Sequence, residues 1–226
     1  DSITESFLGT GMGEPRQRTE GIPTLLSEVA KSEKFHPLIL AISGDQTQHL
    51  LYRLQHGELV SSIQDDNDAI FVIHIGTNNL GSGELPAPTA EGIISVSKYV
   101  LENTVGRVVI VQVLPRGDGK EVLPTLCPPR CRDSKNGVKA PFKSFLPAVD
   151  MVNAKLQKHH LGTDLPHEYK GRFSLLDCGS PFLLDDDDDE GEEVNITLMP
   201  DRLHPNVNGQ RLLLQCVIDC IHRKTC

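Results

Sequence analysis

The stretch that decides the fold is AIFVIHIGTNN, residues 69–79. Its first seven residues form a mostly apolar run of strand length, and glycine and asparagine, which favour turns, follow directly. A run without polar alternation is typical of a strand that is covered on both faces, as in a parallel sheet. Polar residues directly after such a strand lie at the edge where open parallel sheets bind their ligands.

Similar runs lie on either side of this stretch and alternate with helical patterns. Strands are predicted at residues 38–42, 69–75, 108–114 and 173–176, and helices near residues 46–55, 91–102, 147–159 and 210–222. This alternation predicts an α/β fold, a doubly wound parallel sheet with helices on both faces and right-handed crossovers. Prolines, basic clusters and an acidic run interrupt the rhythm at about residues 121–195. We interpret that region as a loop-rich insertion in a single domain of residues 1–226.

Composition and charge exclude several classes of function. The chain has 226 residues, of which 38% are hydrophobic, and a net charge of −9. No apolar run approaches the roughly 18–20 residues of a membrane span. Residues 185–193 supply eight of the negative charges; they are interpreted as a solvated loop, with a cation-binding or partner-docking segment as the alternative. Without a basic stripe, nucleic-acid binding has no electrostatic support.

The six cysteines are too few for a disulfide scaffold. Cys216 and Cys220 share one face of a predicted helix and are interpreted as apolar packing residues. Cys127 and Cys131 lie in a proline-rich loop, where a local disulfide and a metal site are both open. Residues 195–197, Asn-Ile-Thr, form a glycosylation sequon that has meaning only in a secreted chain. The compartment stays open, with the cytoplasm favoured over secretion.

Four polar segments stand where this fold would place its chemistry. They are DSITES at residues 1–6, SGD at residues 43–45, GTNN at residues 76–79 and DRLHPN at residues 201–206. Each is weak by itself, because an Asp-x-x-His pair and a Gly-Thr-Asn-Asn turn both arise readily by chance. Together they supply the nucleophile, the base, the orienting carboxylate and the N–H donors that acyl transfer requires.

These segments resemble the four sequence blocks of the SGNH/GDSL hydrolases, and within them the catalytic alpha subunits of intracellular platelet-activating-factor acetylhydrolase. The second resemblance is carried by GDQTQHLLYRL at residues 44–54, GEL at residues 57–59 and LPRG at residues 114–117. It covers roughly residues 1–10, 37–118 and 196–222. It implies the flavodoxin-like sheet of that superfamily and a serine esterase that needs neither a metal nor an organic cofactor.

The resemblance also assigns roles to individual residues. It implies that Ser2 is the nucleophile, that His204 is the general base and that Asp201 orients the imidazole. The implied oxyanion hole combines the backbone N–H groups of Ser2 and Gly44 with the side-chain amide of Asn78. Gly44 suits this role because it has no Cβ that would block an acyl oxygen.

The expected substrate is a small ester, an acetylated lipid or carbohydrate, and the hydrolysis passes through an acyl-enzyme. The family members that the chain resembles form dimers, so a homodimer is the suggested assembly. The alternative is a non-catalytic member of the same fold that acts as a scaffold or partner-binding protein.

The sequence departs from the family pattern at two points. It starts inside the first block, without the glycine that precedes the Asp-Ser pair and without the strand before it. Because that strand lies inside the family's sheet, we expect the 226-residue chain by itself to be poorly stable and inactive. Ser43 stands where the acetylhydrolases usually have glycine, which we expect to alter the loop beside Gly44.

Overall fold

The computed structural model describes residues 1–117, 145–161, 169, 171–184 and 193–223. Its helices are α1 Ser2–Glu5, α2 Ile22–Glu33, α3 Thr47–Arg53, α4 Ser61–Gln64, α5 Thr77–Gly81, α6 Pro86–Asn103, α7 Leu146–Leu161 and α8 Val207–Arg223. Its strands are β1 Thr10–Gly11, β2 Glu14–Pro15, β3 Ile70–Ile73, β4 Arg107–Val111, β5 Phe173–Leu176, β6 Leu183–Leu184 and β7 Glu193–Val194. Most of the predicted insertion, including Cys127, Cys131 and the acidic run up to residue 192, lies outside the described residues.

The central sheet is parallel and has the order β3-β4-β5. Side chains of β4 point alternately to its two faces, because successive residues of a strand do so. Val108 and Ile110 pack in one apolar core with residues of α6 and α7. Val111 packs in a second core with Leu213 and Val217 of α8. Helices therefore cover both faces, and the predicted α/β architecture is confirmed.

Truncation of Ile110 should be costly, because this side chain is 1% exposed in the middle strand. We expect Ile110→Ala to lower the free energy of unfolding by about 2–5 kcal/mol, since it removes buried methyl groups and leaves a cavity. Urea denaturation measures the effect. The control Val105→Ala, at a side chain that is 43% exposed, should change stability by no more than about 0.5 kcal/mol. Equal unfolding midpoints for the two variants would contradict the prediction.

The strand predicted at residues 38–42 was wrong. Leu38, Leu40 and Ile42 are 63%, 39% and 47% exposed, and within the described ranges the segment pairs with no strand. The outer edge of β3 likewise has no strand partner in the described part of the chain. The apolar pattern favours an extended backbone, but a strand also needs a hydrogen-bonded neighbour, which this segment lacks.

The interpretation of Cys216 and Cys220 as apolar packing residues was incomplete: Cys216 packs against the second core and Cys220 is buried, but both are also disulfide-bonded. Cys216 on α8 forms a disulfide with Cys178, which follows β5, with a Cα–Cα distance of 6.0 Å. That separation is typical of disulfides. Cys220 is buried and is disulfide-bonded too. The helical spacing correctly placed these cysteines on α8, but the pairing follows from the way α8 packs beside the loop after β5.

Candidate active site

Helix α1 carries Ser2 in its first turn. The Asp1 carboxylate caps this turn by accepting the Ile3 N–H at 3.0 Å. Ser2 is 6% exposed, and its Oγ lies 3.0 Å from Nε2 of His204, which is 202 positions away in sequence. The other ring nitrogen of His204, Nδ1, lies 2.6 Å from Oδ2 of Asp201. The structure therefore brings these three predicted site residues together in one hydrogen-bonded chain.

The loop before α8 fixes the position of Asp201. Its Oδ1 accepts the backbone N–H groups of Leu203 at 3.0 Å and His204 at 2.7 Å. Burial alone would raise the pKa of Asp201, but hydrogen bonds from the His204 ring and from the backbone of His204 and Leu203 outweigh it and lower the pKa to about 2. A charged Asp201 favours the imidazole tautomer with its proton on Nδ1. Nε2 is then the acceptor for the Ser2 hydroxyl.

Arg202 gives the same loop an unusual backbone, since its φ is 61°. The conformation is left-handed, which costs energy for a residue other than glycine. Two backbone hydrogen bonds maintain it. The Arg202 N–H donates to the Met199 carbonyl at 2.8 Å, and the Arg202 carbonyl accepts the Gly117 N–H at 2.9 Å.

Asn78 begins the second group of predicted site residues, on α5 directly after β3. Its Nδ2 donates to the Asp45 carbonyl at 3.0 Å, so it contacts the loop that contains Gly44. The turn into α5 needs glycine at position 76, where φ is 120° and a Cβ would stand 2.8 Å from Cδ1 of Ile93. The structure thus brings Asn78 beside the Gly44 loop, as expected for two donors of one site.

Glu5 connects the Gly44 loop to the helix that carries Ser2. This residue is 2% exposed, and its carboxylate accepts the N–H groups of Ser43 at 2.5 Å, Gly13 at 2.9 Å and Met12 at 3.3 Å and the Thr10 hydroxyl at 2.8 Å. Burial would raise the pKa of Glu5, but hydrogen bonds from Ser43, Gly13 and Thr10 lower it to about 2. A buried, charged carboxylate therefore holds α1, the β1–β2 hairpin and the Gly44 loop together.

Replacing Glu5 by glutamine should make the acid sensitivity of folding weaker. The folded-state pKa of about 2 lies below the ordinary 4.5, so ionised Glu5 stabilises the fold above about pH 4.5. This contribution is lost as the pH falls through 2. This difference between the two pKa values corresponds to a contribution of roughly 3 kcal/mol to the free energy of unfolding at neutral pH. Urea unfolding between pH 7 and pH 2 should show a lower and flatter stability curve for Glu5→Gln.

The matched control for this experiment is Glu28→Gln, at an exposed position on α2. Its stability curve should follow that of the natural protein throughout the pH range. If Glu5→Gln also followed the natural curve, the assignment of Glu5 as a stabilising anion would be wrong.

Comparison with known proteins decides the family. The model of the GDSL-like lipase/acylhydrolase family matches residues 1–212. The chain belongs to this family. The resemblance seen in its sequence blocks is confirmed.

Curated relatives of this acylhydrolase match it over part of their length. Platelet-activating factor acetylhydrolase IB subunit alpha1 of Bos taurus is 39% identical over 83 residues, which are 36% of this chain and 33% of the relative. The subunit alpha2 of Gallus gallus is 30% identical over 113 residues, or 50% and 44% of the two chains. The chain thus aligns with less than half of each of these relatives.

Solved structures extend the likeness to nearly the whole chain. A GDSL-like lipase from Bacteroides thetaiotaomicron has a TM-score of 0.63 and 16% identity over 98% of this chain and 84% of its own. Axe2, an acetylxylan esterase from Geobacillus stearothermophilus, has a TM-score of 0.54 and 13% identity over 97% and 90%. At these identities the likeness establishes a shared fold.

Two buried side chains that sequence reasoning did not single out hold the Asn78 helix of the acylhydrolase in place. Asn79 accepts the Thr47 N–H at 3.0 Å and donates to the Thr47 hydroxyl at 3.1 Å, which joins α5 to α3. Arg116 donates to the Thr77 carbonyl at 2.6 Å, and its guanidinium lies 4.6 Å from the centre of the Phe145 ring. Asn79 and Arg116 stand in two of the sequence segments quoted above. Their position beside the predicted site residues was the only sequence feature that could have indicated a supporting role.

Gln210 is a third residue of this kind. It is fully buried on α8, and its Nε2 donates to the Ile3 carbonyl on α1 at 2.8 Å. This bond joins the helix that follows His204 to the helix that carries Ser2. Its position in a helix of otherwise ordinary amphipathic pattern gave no signal in the sequence.

Across the described ranges, no group of three or more His, Cys, Asp or Glu side chains could hold a metal ion. The helices in those ranges include none that is long and apolar enough to cross a membrane.

Proposed function

We propose that this acylhydrolase is a serine esterase in which Ser2 is the nucleophile, His204 the general base and Asp201 the residue that orients the imidazole. The observation that carries the proposal is the continuous set of contacts from Ser2 Oγ to His204 Nε2 at 3.0 Å and from His204 Nδ1 to Asp201 Oδ2 at 2.6 Å. Nucleophilic acyl transfer requires this arrangement: a hydroxyl hydrogen-bonded to a base, and a carboxylate that orients the base.

The reaction would proceed in two halves. Ser2 Oγ attacks the ester carbonyl carbon while His204 Nε2 takes its proton. His204 then gives that proton to the departing alcohol, which leaves Ser2 acylated. In the second half a water molecule loses a proton to His204 and attacks the acyl carbon. His204 then returns that proton to Ser2 Oγ as the Ser2–acyl bond breaks, which releases the acid and restores the serine hydroxyl.

The negative charge that develops on the acyl oxygen needs N–H donors. We assign them to the backbone amides of Ser2 and Gly44 and to the side-chain amide of Asn78. Gly44 has a φ of 85°, and no atom lies within 4 Å of the position that a Cβ would occupy, so its surroundings leave room for a ligand. Such donors, fixed before the reaction, typically supply a large share of the rate enhancement.

The proposed substrate is a short acyl ester, in particular an acetyl ester of a lipid or carbohydrate. The names of the relatives support this class, because the curated relatives are acetylhydrolase subunits and Axe2 is an acetylxylan esterase. The resemblance to dimeric family members also supports a homodimer, which light scattering of the purified protein would test.

The full-length natural protein should react with a fluorophosphonate probe at a single site. Peptide mapping is expected to find the adduct on Ser2, since the probe modifies hydroxyls that a neighbouring base activates. An adduct on another residue would overturn the assignment of Ser2. A folded protein that gives no adduct would favour the non-catalytic alternative.

Substrate preference needs a separate assay. A series of p-nitrophenyl acetate, butyrate and octanoate should show the highest kcat/KM for acetate. Equal or rising values with chain length would overturn the acetyl preference and leave the esterase mechanism intact.

A further inference from the structure

Two features of the chain have no part in the proposed ester cleavage: its disulfides and the sequon at residues 195–197. We propose that the protein folds in the oxidising secretory pathway and carries an N-linked glycan on Asn195. The two features are independent of each other, and both point to the same compartment. The sequon by itself would be weak, because a three-residue motif often occurs by chance.

The disulfide bonds indicate the redox environment. Cys178 is 4% exposed in the loop after β5, and its bond to Cys216 connects that loop to α8. Cys220, also 4% exposed, is disulfide-bonded as well, and the described residues contain no free cysteine. Disulfides persist in secreted proteins, whereas cytosolic thiols are generally kept reduced. Buried bonds that connect separate elements are therefore expected in a chain that folds outside the cytosol.

The sequon lies at the surface, where a glycan can be accommodated. Asn195 directly follows β7 and is partly exposed, Ile196 is 54% exposed and Thr197 is exposed. Oδ1 of Asn195 accepts the Thr197 N–H at 3.0 Å, which brings the amide and the threonine into one tight turn. Nδ2 of Asn195 donates to the Pro181 carbonyl at 3.3 Å. That bond uses one hydrogen of the amide group and leaves the second for substitution.

The chemistry of the modification is consistent with this geometry. The donor would be an oligosaccharide attached to a lipid pyrophosphate. Nδ2 of Asn195 forms a bond to the anomeric carbon of the sugar, and the bond from that carbon to the pyrophosphate oxygen breaks. Nδ2 releases one proton, and the lipid pyrophosphate leaves. The substituted amide keeps one N–H, so the bond to the Pro181 carbonyl can persist.

The disulfide encloses the segment that contains Asp201 and His204, and the sequon lies just before it in the same loop. The Cys178–Cys216 bond closes residues 178–216 into a loop that includes both residues. Asn195 donates its backbone N–H to the Phe182 carbonyl at 2.9 Å. Asn195 is thus fixed at the start of that segment.

Mass spectrometry of the full-length protein from its natural source tests the proposal. After glycan release in heavy-oxygen water, Asn195 should appear as labelled aspartate, and unreduced digests should contain the Cys178–Cys216 cross-linked peptide. An unmodified Asn195 would overturn the glycan. Alkylation of Cys178 and Cys216 without prior reduction would overturn the oxidising compartment.

Variants expressed with a secretion leader in eukaryotic cells test whether glycosylation depends on the sequon itself and not on a general effect of substitution on the fold. Asn195→Gln and Thr197→Ala should both lose the mobility shift that glycosidase removes. Thr197→Ser, which keeps the sequon, should retain it, as should Asn67→Gln at an exposed asparagine outside any sequon. Loss of the shift in Asn67→Gln, or its persistence in Asn195→Gln, would place the glycan elsewhere. Secretion of Thr197→Ser without a shift would also contradict the proposal.

Discussion

Replacing Ser2 by alanine in the full-length protein is expected to lower kcat for p-nitrophenyl acetate by on the order of 10,000-fold or more and to abolish labelling by a fluorophosphonate. The reason is that the variant removes the only atom proposed to bond to the acyl carbon, the Oγ that lies 3.0 Å from His204. Ser6 is a poor substitute, because its hydroxyl donates to the Ser2 carbonyl at 2.8 Å.

The control for this variant is Ser27→Ala, which removes an exposed hydroxyl bonded to the Pro23 carbonyl on α2. It should retain natural activity. Combining Ser2→Ala with His204→Gln should cost little more than Ser2→Ala alone, because residues that act as one unit are strongly non-additive. A residual kcat within tenfold of the natural value, in a protein with an unchanged melting temperature, would exclude Ser2 as the nucleophile.

Replacing Asn78 by alanine is expected to lower kcat by about 100- to 1000-fold, the usual effect of losing one oxyanion donor. KM should change little, because the donor binds the charged transition state more strongly than the neutral ester. Asn78→Asp should not restore activity, since a carboxylate would repel the developing oxyanion. Steady-state kinetics on an acetyl ester, with kcat and KM determined separately, measures both effects.

Stability must be measured beside these rates, because Asn78 also donates to the Asp45 carbonyl at 3.0 Å. Loss of that bond is expected to cost about 1 kcal/mol of folding free energy. Asn103→Ala is the matched control, since it removes an exposed amide bonded to the Tyr99 carbonyl at the end of α6. If Asn78→Ala kept kcat within twofold of the control, Asn78 would not be an oxyanion donor.

The local sequence pattern was sufficient to predict the strands in the buried part of the sheet. The mostly apolar run at Phe173–Leu176, in which only Ser174 is polar, has the bounds of β5, because a strand covered on both faces is largely apolar. The same reasoning failed at residues 38–42. Their pattern is more uniformly apolar than that of β5, but strand formation depends on a partner that is not visible in the segment itself.

In the candidate site, too, some features could be predicted from the sequence and others could not. Ser2, Asn78, Asp201 and His204 stand in recognisable blocks, and the structure brings His204 into contact with both Ser2 and Asp201. The supporting contacts could not be predicted from spacing. Glu5 binds an amide 38 residues away, Gln210 binds a carbonyl 207 residues away, and the disulfide partners are 38 residues apart. Only the completed tertiary packing brings such groups together.

The bond between Gln210 and the Ile3 carbonyl has a consequence for protein synthesis. On the ribosome α1 is made before the other described helices, and α8 is the last of them to be made. Closing a contact over such a distance along the chain is among the slow steps of folding. We therefore expect Ser2 and His204 to meet late in synthesis, once translation has passed α8 and this helix can pack beside α1.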